Sequence, residues 1–192
     1  MKILKTFSVL FLSFLFIKAN AQTENPKGYS KGTIVLQNNT VLNGFIKDNM
    51  KKDATVSFVA DAAGKKTKYT GTDLVSVEID GNKFNCIKGD FFRVICNGEL
   101  CFLQKVSDAS GNITYNGSEA IYMSGAPGKS GDYFLYNDKD KELKLVSTKT
   151  FEAVTTAAFA NYAPAIEKAK TAKDNIPQLS QAVVIYNNRG GK

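Results

Sequence analysis

The sequence predicts an α+β protein: an antiparallel β-rich domain, a small barrel or a sandwich, with C-terminal helices packed on it. From Lys31 to Val146, short runs rich in Val, Ile, Phe, Tyr and Thr alternate with Gly, Asn and Asp. That is the pattern of successive antiparallel strands joined by tight turns. At Thr148 the apolar period lengthens from two residues to about 3.6, which marks a change to helix. The first residues belong to neither pattern and read as an export address.

That address has three parts. Lys2 and Lys5 give a positive start, an apolar run extends from Phe7 to Ile17, and Ala19-Asn20-Ala21 puts small residues where a signal peptidase cuts. Residues 1–21 are therefore expected to be a signal peptide, with the mature chain beginning at Gln22. A bilayer span needs roughly 20 apolar residues, and this run is shorter and interrupted by Ser8 and Ser13. No Cys follows the cleavage site to carry a lipid, and no transmembrane span is expected in the mature chain. The expected location is periplasmic, cell-surface or secreted.

The strands follow in order. Gly32 to Gln37 and Val41 to Lys47 flank Asn38-Asn39-Thr40 and form a first hairpin. Further strands are expected at Thr55 to Ala60, Lys66 to Tyr69, Leu74 to Ile79, Lys83 to Ile87, Phe91 to Cys96, Glu99 to Val106, Ile113 to Tyr115, Ile121 to Ser124, Tyr133 to Tyr136 and Glu142 to Val146. Asp80-Gly81, Asn97-Gly98 and Ser110-Gly111 are the strongest turn signals between them. Residues 22–147 are thus assigned to the β-domain.

Residues 148–192 are assigned to a helical tail packed on it. Thr148 is a candidate N-cap, with Phe151, Val154, Ala158 and Phe159 on one helical face. Pro164 permits a second start, with Ile166 and Ala169 continuing the stripe. A last helix runs from Pro177 with Leu179, Ala182, Val183 and Tyr186 on one side, stopped by Gly190 and Gly191. Such stripes need apolar surface to cover, and a sheet face supplies it.

Composition narrows the chemistry. Loss of Lys2, Lys5 and Lys18 with the leader lowers the formal charge from +7 to +4. No dense basic face remains for phosphate-backbone binding, so nucleic acid is not an expected partner. The chain contains no His. The commonest general base near neutral pH, the commonest metal ligand and every His-dependent nucleophile system are thereby missing.

Gly32-x-Ile34-x-Leu36 with Gly44-x-Ile46, Phe91-x-Arg93-Val94 leading through Gly98 into the next strand, and terminal Val183-Val184-Ile185-Tyr186-Asn187 resemble exported proteins of Bacteroidetes with no assigned activity. The Ala19-Asn20-Ala21-Gln22 junction resembles the cleavage sites usual in that phylum. The resemblance spans most of the mature chain. It implies an envelope or secreted location and carries no catalytic residues to transfer.

Several groups come near a known chemistry. Gly125-Ala126-Pro127-Gly128-Lys129-Ser130 ends like a phosphate-cradling loop, but Met123 stands where the first glycine belongs and a strand follows in place of a helix. A flexible inter-strand loop is expected. Asp138-x-Asp140-x-Glu142 spaces carboxylates as a calcium loop does, yet Leu143 replaces the turning glycine, so a solvated hairpin tip is expected. Tyr115, Tyr122, Tyr133, Phe134 and Tyr136 are expected in core packing, or exposed as a stacking surface. Asp73, Glu78, Asp80 and Asp90 would serve glycoside hydrolysis only if two faced each other across a cleft.

Cys86, Cys96 and Cys101 are the whole thiol inventory. In an oxidising compartment Cys96 and Cys101, bracketing Asn97-Gly98, are the disulfide candidates. A two-residue turn sets them diagonally on one face at about 7 to 8 Å, whereas a four-residue loop would align them. Buried reduced thiols are the alternative. No catalytic, cofactor-binding or metal-ligating set is assigned, and no cofactor is expected.

The reading is a non-catalytic exported envelope module, structural or binding, whose partner is an unknown envelope component or protein. The alternatives are a carboxylate-based hydrolase acting on an envelope glycan or peptide, and a barrel holding a small apolar ligand.

Overall fold

The computed structural model describes residues 25–190 apart from 112, 117, 123 and 161, and leaves out the side chains of 114–116, 121 and 122. The expected signal peptide 1–21, Met123 and the side chains of Tyr115 and Tyr122 lie outside the described residues.

Every expected strand is present: β1 (Ser30–Leu36), β2 (Val41–Asn49), β3 (Thr55–Val59), β4 (Thr67–Thr70), β5 (Leu74–Ile79), β6 (Asn82–Ile87), β7 (Asp90–Cys96), β8 (Leu100–Lys105), β9 (Ile113–Asn116), β10 (Glu119–Tyr122), β11 (Tyr133–Asn137) and β12 (Glu142–Val146). Ten of them form one antiparallel sheet in the order β12-β11-β8-β7-β6-β5-β1-β2-β3-β4, and β9 pairs only with β10. The result is a large antiparallel sheet with C-terminal helices, broadly α+β. It runs open from β12 to β4, so the ladder does not close into a barrel.

The sheet curls instead. Ile34 of β1, Phe58 of β3, Leu74 of β5, Phe84 of β6 and Phe91 of β7 belong to one buried cluster although several strands separate them. Met50, fully buried, fills the same hollow from the one-turn helix α1 (Met50–Asp53), too short to leave a periodic signature. Just past edge strand β4, Gly71 touches the β6–β7 turn through a single bridge to Gly89.

Glycines permit the curl. Gly32 and Gly44 lie directly opposite each other on β1 and β2. A Cβ on Gly32 would sit 2.2 Å from the Glu78 carbonyl oxygen, and one on Gly44 would sit 2.3 Å from that of Val59. Backbone cannot yield as a flexible side chain can, so a methyl there forces strands apart. Gly44→Ala is expected to cost about 1–3 kcal/mol, as overpacking does. Urea unfolding measures it, and an unchanged midpoint would mean that the curl tolerates a side chain.

The helices are α2 (Phe151–Ala158), α3 (Ala163–Lys170) and α4 (Leu179–Asn187), the last entered through a single 3₁₀ turn. The N-cap of α2 falls on Thr150, not Thr148, because Ser147 and Thr150 bond to each other's backbone N–H groups and close a turn first. Phe151, Phe159, Leu179 and Tyr186 are all buried, in one cluster with Phe102 of β8, Leu135 of β11 and Val146 of β12. Asn187 welds the end of α4 to β8: its Oδ1 accepts from the Leu100 N–H at 3.0 Å and its Nδ2 donates to the Leu100 carbonyl at 2.9 Å. Arg189 then stacks on Tyr186, 3.7 Å from the ring centroid, and pairs with Glu99 at 2.8 Å.

Registers show which face is which. Phe84, Arg93, Gln104 and Tyr133 stand opposite one another in a row across β6, β7, β8 and β11, and directly paired residues share a face. The curled core lies at the β6 end of this row and the helix-covered core at the β11 end. The other face carries a third cluster, with Phe92, Leu103 and Phe134 fully buried.

Candidate functional site

The alternation Cys101, Leu103, Lys105 along β8 turns Lys105 onto this third-cluster face, opposite Phe92. Asp90, at the start of β7, points the same way. Their side chains are both fully buried and meet with Lys105 Nζ 3.1 Å from Asp90 Oδ2. A buried charge is tolerable only when paired and hydrogen-bonded, and here both groups are saturated.

Lys105 Nζ donates to the Ala126 carbonyl at 2.7 Å and to that of Gly128 at 2.9 Å. Asp90 Oδ1 accepts from Ser107 Oγ and from the Ala109 N–H, each at 2.7 Å, and Oδ2 accepts from the Ala126 N–H at 2.7 Å. Ser107 Oγ also accepts from the Phe91 N–H at 2.8 Å. Three ammonium protons and four carboxylate acceptor sites are thus engaged. What they hold is the base of the excursion between β8 and β11: segment 106–110 on the way out and segment 124–131 on the way back.

The return segment is the glycine-rich loop that resembles the end of a phosphate cradle. Its backbone is used with both signs: the Ala126 N–H meets the Asp90 carboxylate, and two carbonyls meet Lys105. A phosphate loop aims a run of N–H groups at one anion, whereas here the carbonyls of Ala126 and Gly128 are turned to an ammonium and the N–H groups of Ala126 and Lys129 are taken by the protein's own Asp90 and Asp132. Gly128, at φ +79, passes so close over the sheet that a Cβ would lie 2.8 Å from the Phe134 ring. The loop therefore roofs the third cluster. Beyond it the ribbon β9–β10 stands apart from the large sheet, with Ile113 48% exposed.

The remaining groups take other places. Asp138 pairs with Lys141 and Glu142 with Lys144 at the exposed β11–β12 tip. No cluster of three or more His, Cys, Asp or Glu with metal-site geometry occurs among the described residues. Asp73 caps β4 by accepting from the Thr70 N–H and hydroxyl. Glu78 and Asp80 share an open groove of about 550 Å³ over Gly32 and Gly44, while Asp90 is the buried partner of Lys105. The four carboxylates therefore do not converge. Tyr133 stacks on Phe102 with centroids 5.4 Å apart, and Tyr136 and Phe134 are buried on the opposite face.

All three cysteines are unbonded in this structure. A bulge in β7 pairs Val94 with Leu103 but Cys96 with Phe102. That extra residue sends Cys96 to the helix-covered face, where its Sγ lies 3.6 Å from the Ser180 carbonyl, while Cys101 stays with the third cluster. A bridge would have to undo the bulge, so non-reducing peptide mapping is expected to recover Cys96 and Cys101 as separate thiols. Burial, and secondarily the charge of Asp73, pushes the Cys86 thiol up to about 12. It stays protonated near neutral pH and is expected to resist alkylation at pH 8 until the protein unfolds. Because the folded value is raised, this contribution to stability is complete below the ordinary 9.0 and is lost as pH rises toward about 12.

No family model matches this sequence, and neither a curated protein nor a solved structure does. No helix among the described residues is long and apolar enough to cross a membrane.

Proposed function

We propose that this chain is an exported, non-catalytic module of the bacterial envelope that binds a partner through the β9–β10 arm. The observation that carries the reading is the Asp90–Lys105 pair. A buried ion pair gives little net stability over an apolar core, yet this one spends every proton and acceptor on fixing the two segments at the base of the arm. An isolated two-stranded ribbon is marginal in water, and a fixed base limits its movement. The export pattern and the resemblance to exported Bacteroidetes proteins supply the location.

The test removes the arm and keeps its base. Ser110 Oγ lies 3.2 Å from the Ser124 carbonyl, so joining Ser110 to Ser124 through one glycine leaves the Lys105 and Asp90 contacts in place. Tagged mature protein with and without this deletion is compared as bait against envelope extract. Both should unfold at similar temperature, and the deletion should lose the retained partner. Equal recovery by the two baits would remove the arm from the function.

A further inference from the structure

On the opposite face from the ion pair, the row Phe84, Arg93, Gln104, Tyr133 crosses an open cleft between the curled core and the helix-covered core. The cleft, of about 410 Å³, is lined by Lys51, Asn82, Phe84, Arg93, Gln104 and Ser130, with Lys105, Val106 and Gly131 at its end. None of these is acidic. Lys105 is already neutralised by Asp90, but neither Arg93 nor Lys51 has an ion-pair partner among the described residues. Every other described cleft residue is neutral, so two positive charges face the space uncompensated.

Arg93 is also oriented. Its Nη2 donates to Gln104 Oε1 at 2.7 Å, and Gln104 Nε2 donates in turn to the Tyr133 hydroxyl at 3.1 Å and the Gly131 carbonyl at 3.3 Å. One guanidinium donor is spent on holding the group, and four remain. A planar fork held in place beside a second cation suits a carboxylate or phosphate, which it can grip through two parallel bonds. The hydrogen-bonding side chain of Asn82 and the apolar ring of Phe84 bound the rest of the space, as a sugar-sized body requires.

We infer that this cleft is a binding site for an oxyanion, carboxylate or phosphate, carried on a saccharide-sized group. Arg93 grips the anion, Lys51 adds charge from the facing rim, and Gln104 is a positioning residue that acts through Arg93. The cleft borders the base of the arm at Val106, Ser130 and Gly131, but no residue of the β9–β10 ribbon itself lines it.

Titration of the mature protein with glucuronate, with glucose 6-phosphate, with inorganic phosphate and with neutral glucose, followed by backbone amide NMR shifts, tests it. Saturable shifts at Arg93, Gln104 and Ser130 are expected for the anions and none for glucose. The two sugar acids against free phosphate show whether the sugar body contributes. Arg93→Gln, an exposed change that should leave the thermal midpoint near wild type, should weaken binding about tenfold or more. Arg93→Lys should restore only part of it, and Gln104→Leu should move the Arg93 side-chain resonance as well as the affinity. Absence of saturation by every anion at about 10 mM, equal binding of glucose, or an Arg93→Gln variant with wild-type affinity would each overturn the assignment.

Discussion

Lys105→Met should destabilise the protein by about 3–5 kcal/mol, because it leaves the Asp90 carboxylate buried without its counter-charge. For a chain of this size the thermal midpoint should fall by roughly 6–20 °C. The double variant Asp90→Leu with Lys105→Met removes both charges and should recover only part of the loss. Ser107 Oγ, the Ala109 N–H and the Ala126 N–H all donate to Asp90 and would be orphaned. Hydrogen exchange should place the damage in 106–110 and 124–131. A single variant within about 1 kcal/mol of wild type would show that the pair does not hold the loop.

Phe159→Ala is the second large effect, at about 3–5 kcal/mol. Phe159 is fully buried and lies against Tyr186 with ring centroids 5.4 Å apart, inside a cluster that includes Phe102 and Leu135 of the sheet. Removing the chain after Val146 should be worse, since it uncovers that sheet face and takes away the Asn187 clasp on Leu100. Calorimetry of the point variant should show one cooperative transition at lower temperature. A truncated protein melting where the intact one does would mean that the helices are an appendage.

The strands were legible because β-branched and aromatic runs broken by Asp-Gly and Asn-Gly carry their own boundaries. The helical stripe around Phe151 and Phe159 was equally plain. Curl and openness were not, since they depend on how Gly32 and Gly44 approach neighbouring backbone, which no local pattern records. The bulge that separates Cys96 from Cys101 was hidden for the same reason: one inserted residue leaves the composition of the strand unchanged. Asp90 stood in the sequence only as one of four acids that a shared cleft would have made chemical. The signal that could have found the pair is alternation, because Cys101 and Leu103 put Lys105 at an inward position where a lysine needs a partner. The role of the glycine-rich loop as acceptor for an ammonium follows only from the fold.

The strand order also bears on how the chain folds. Within the ten-stranded sheet, seven of the nine pairings join neighbours in sequence, and only β1 with β5 and β8 with β11 do not. Most of the sheet can therefore assemble hairpin by hairpin, with little loop entropy to overcome at each step. The β8–β11 pairing is the exception that encloses the arm, and loop-closure cost grows only slowly with length, by about 0.6 kcal/mol per doubling. The arm thus occupies a position where the chain could gain or lose residues with little change in the cost of closing the β8–β11 pair.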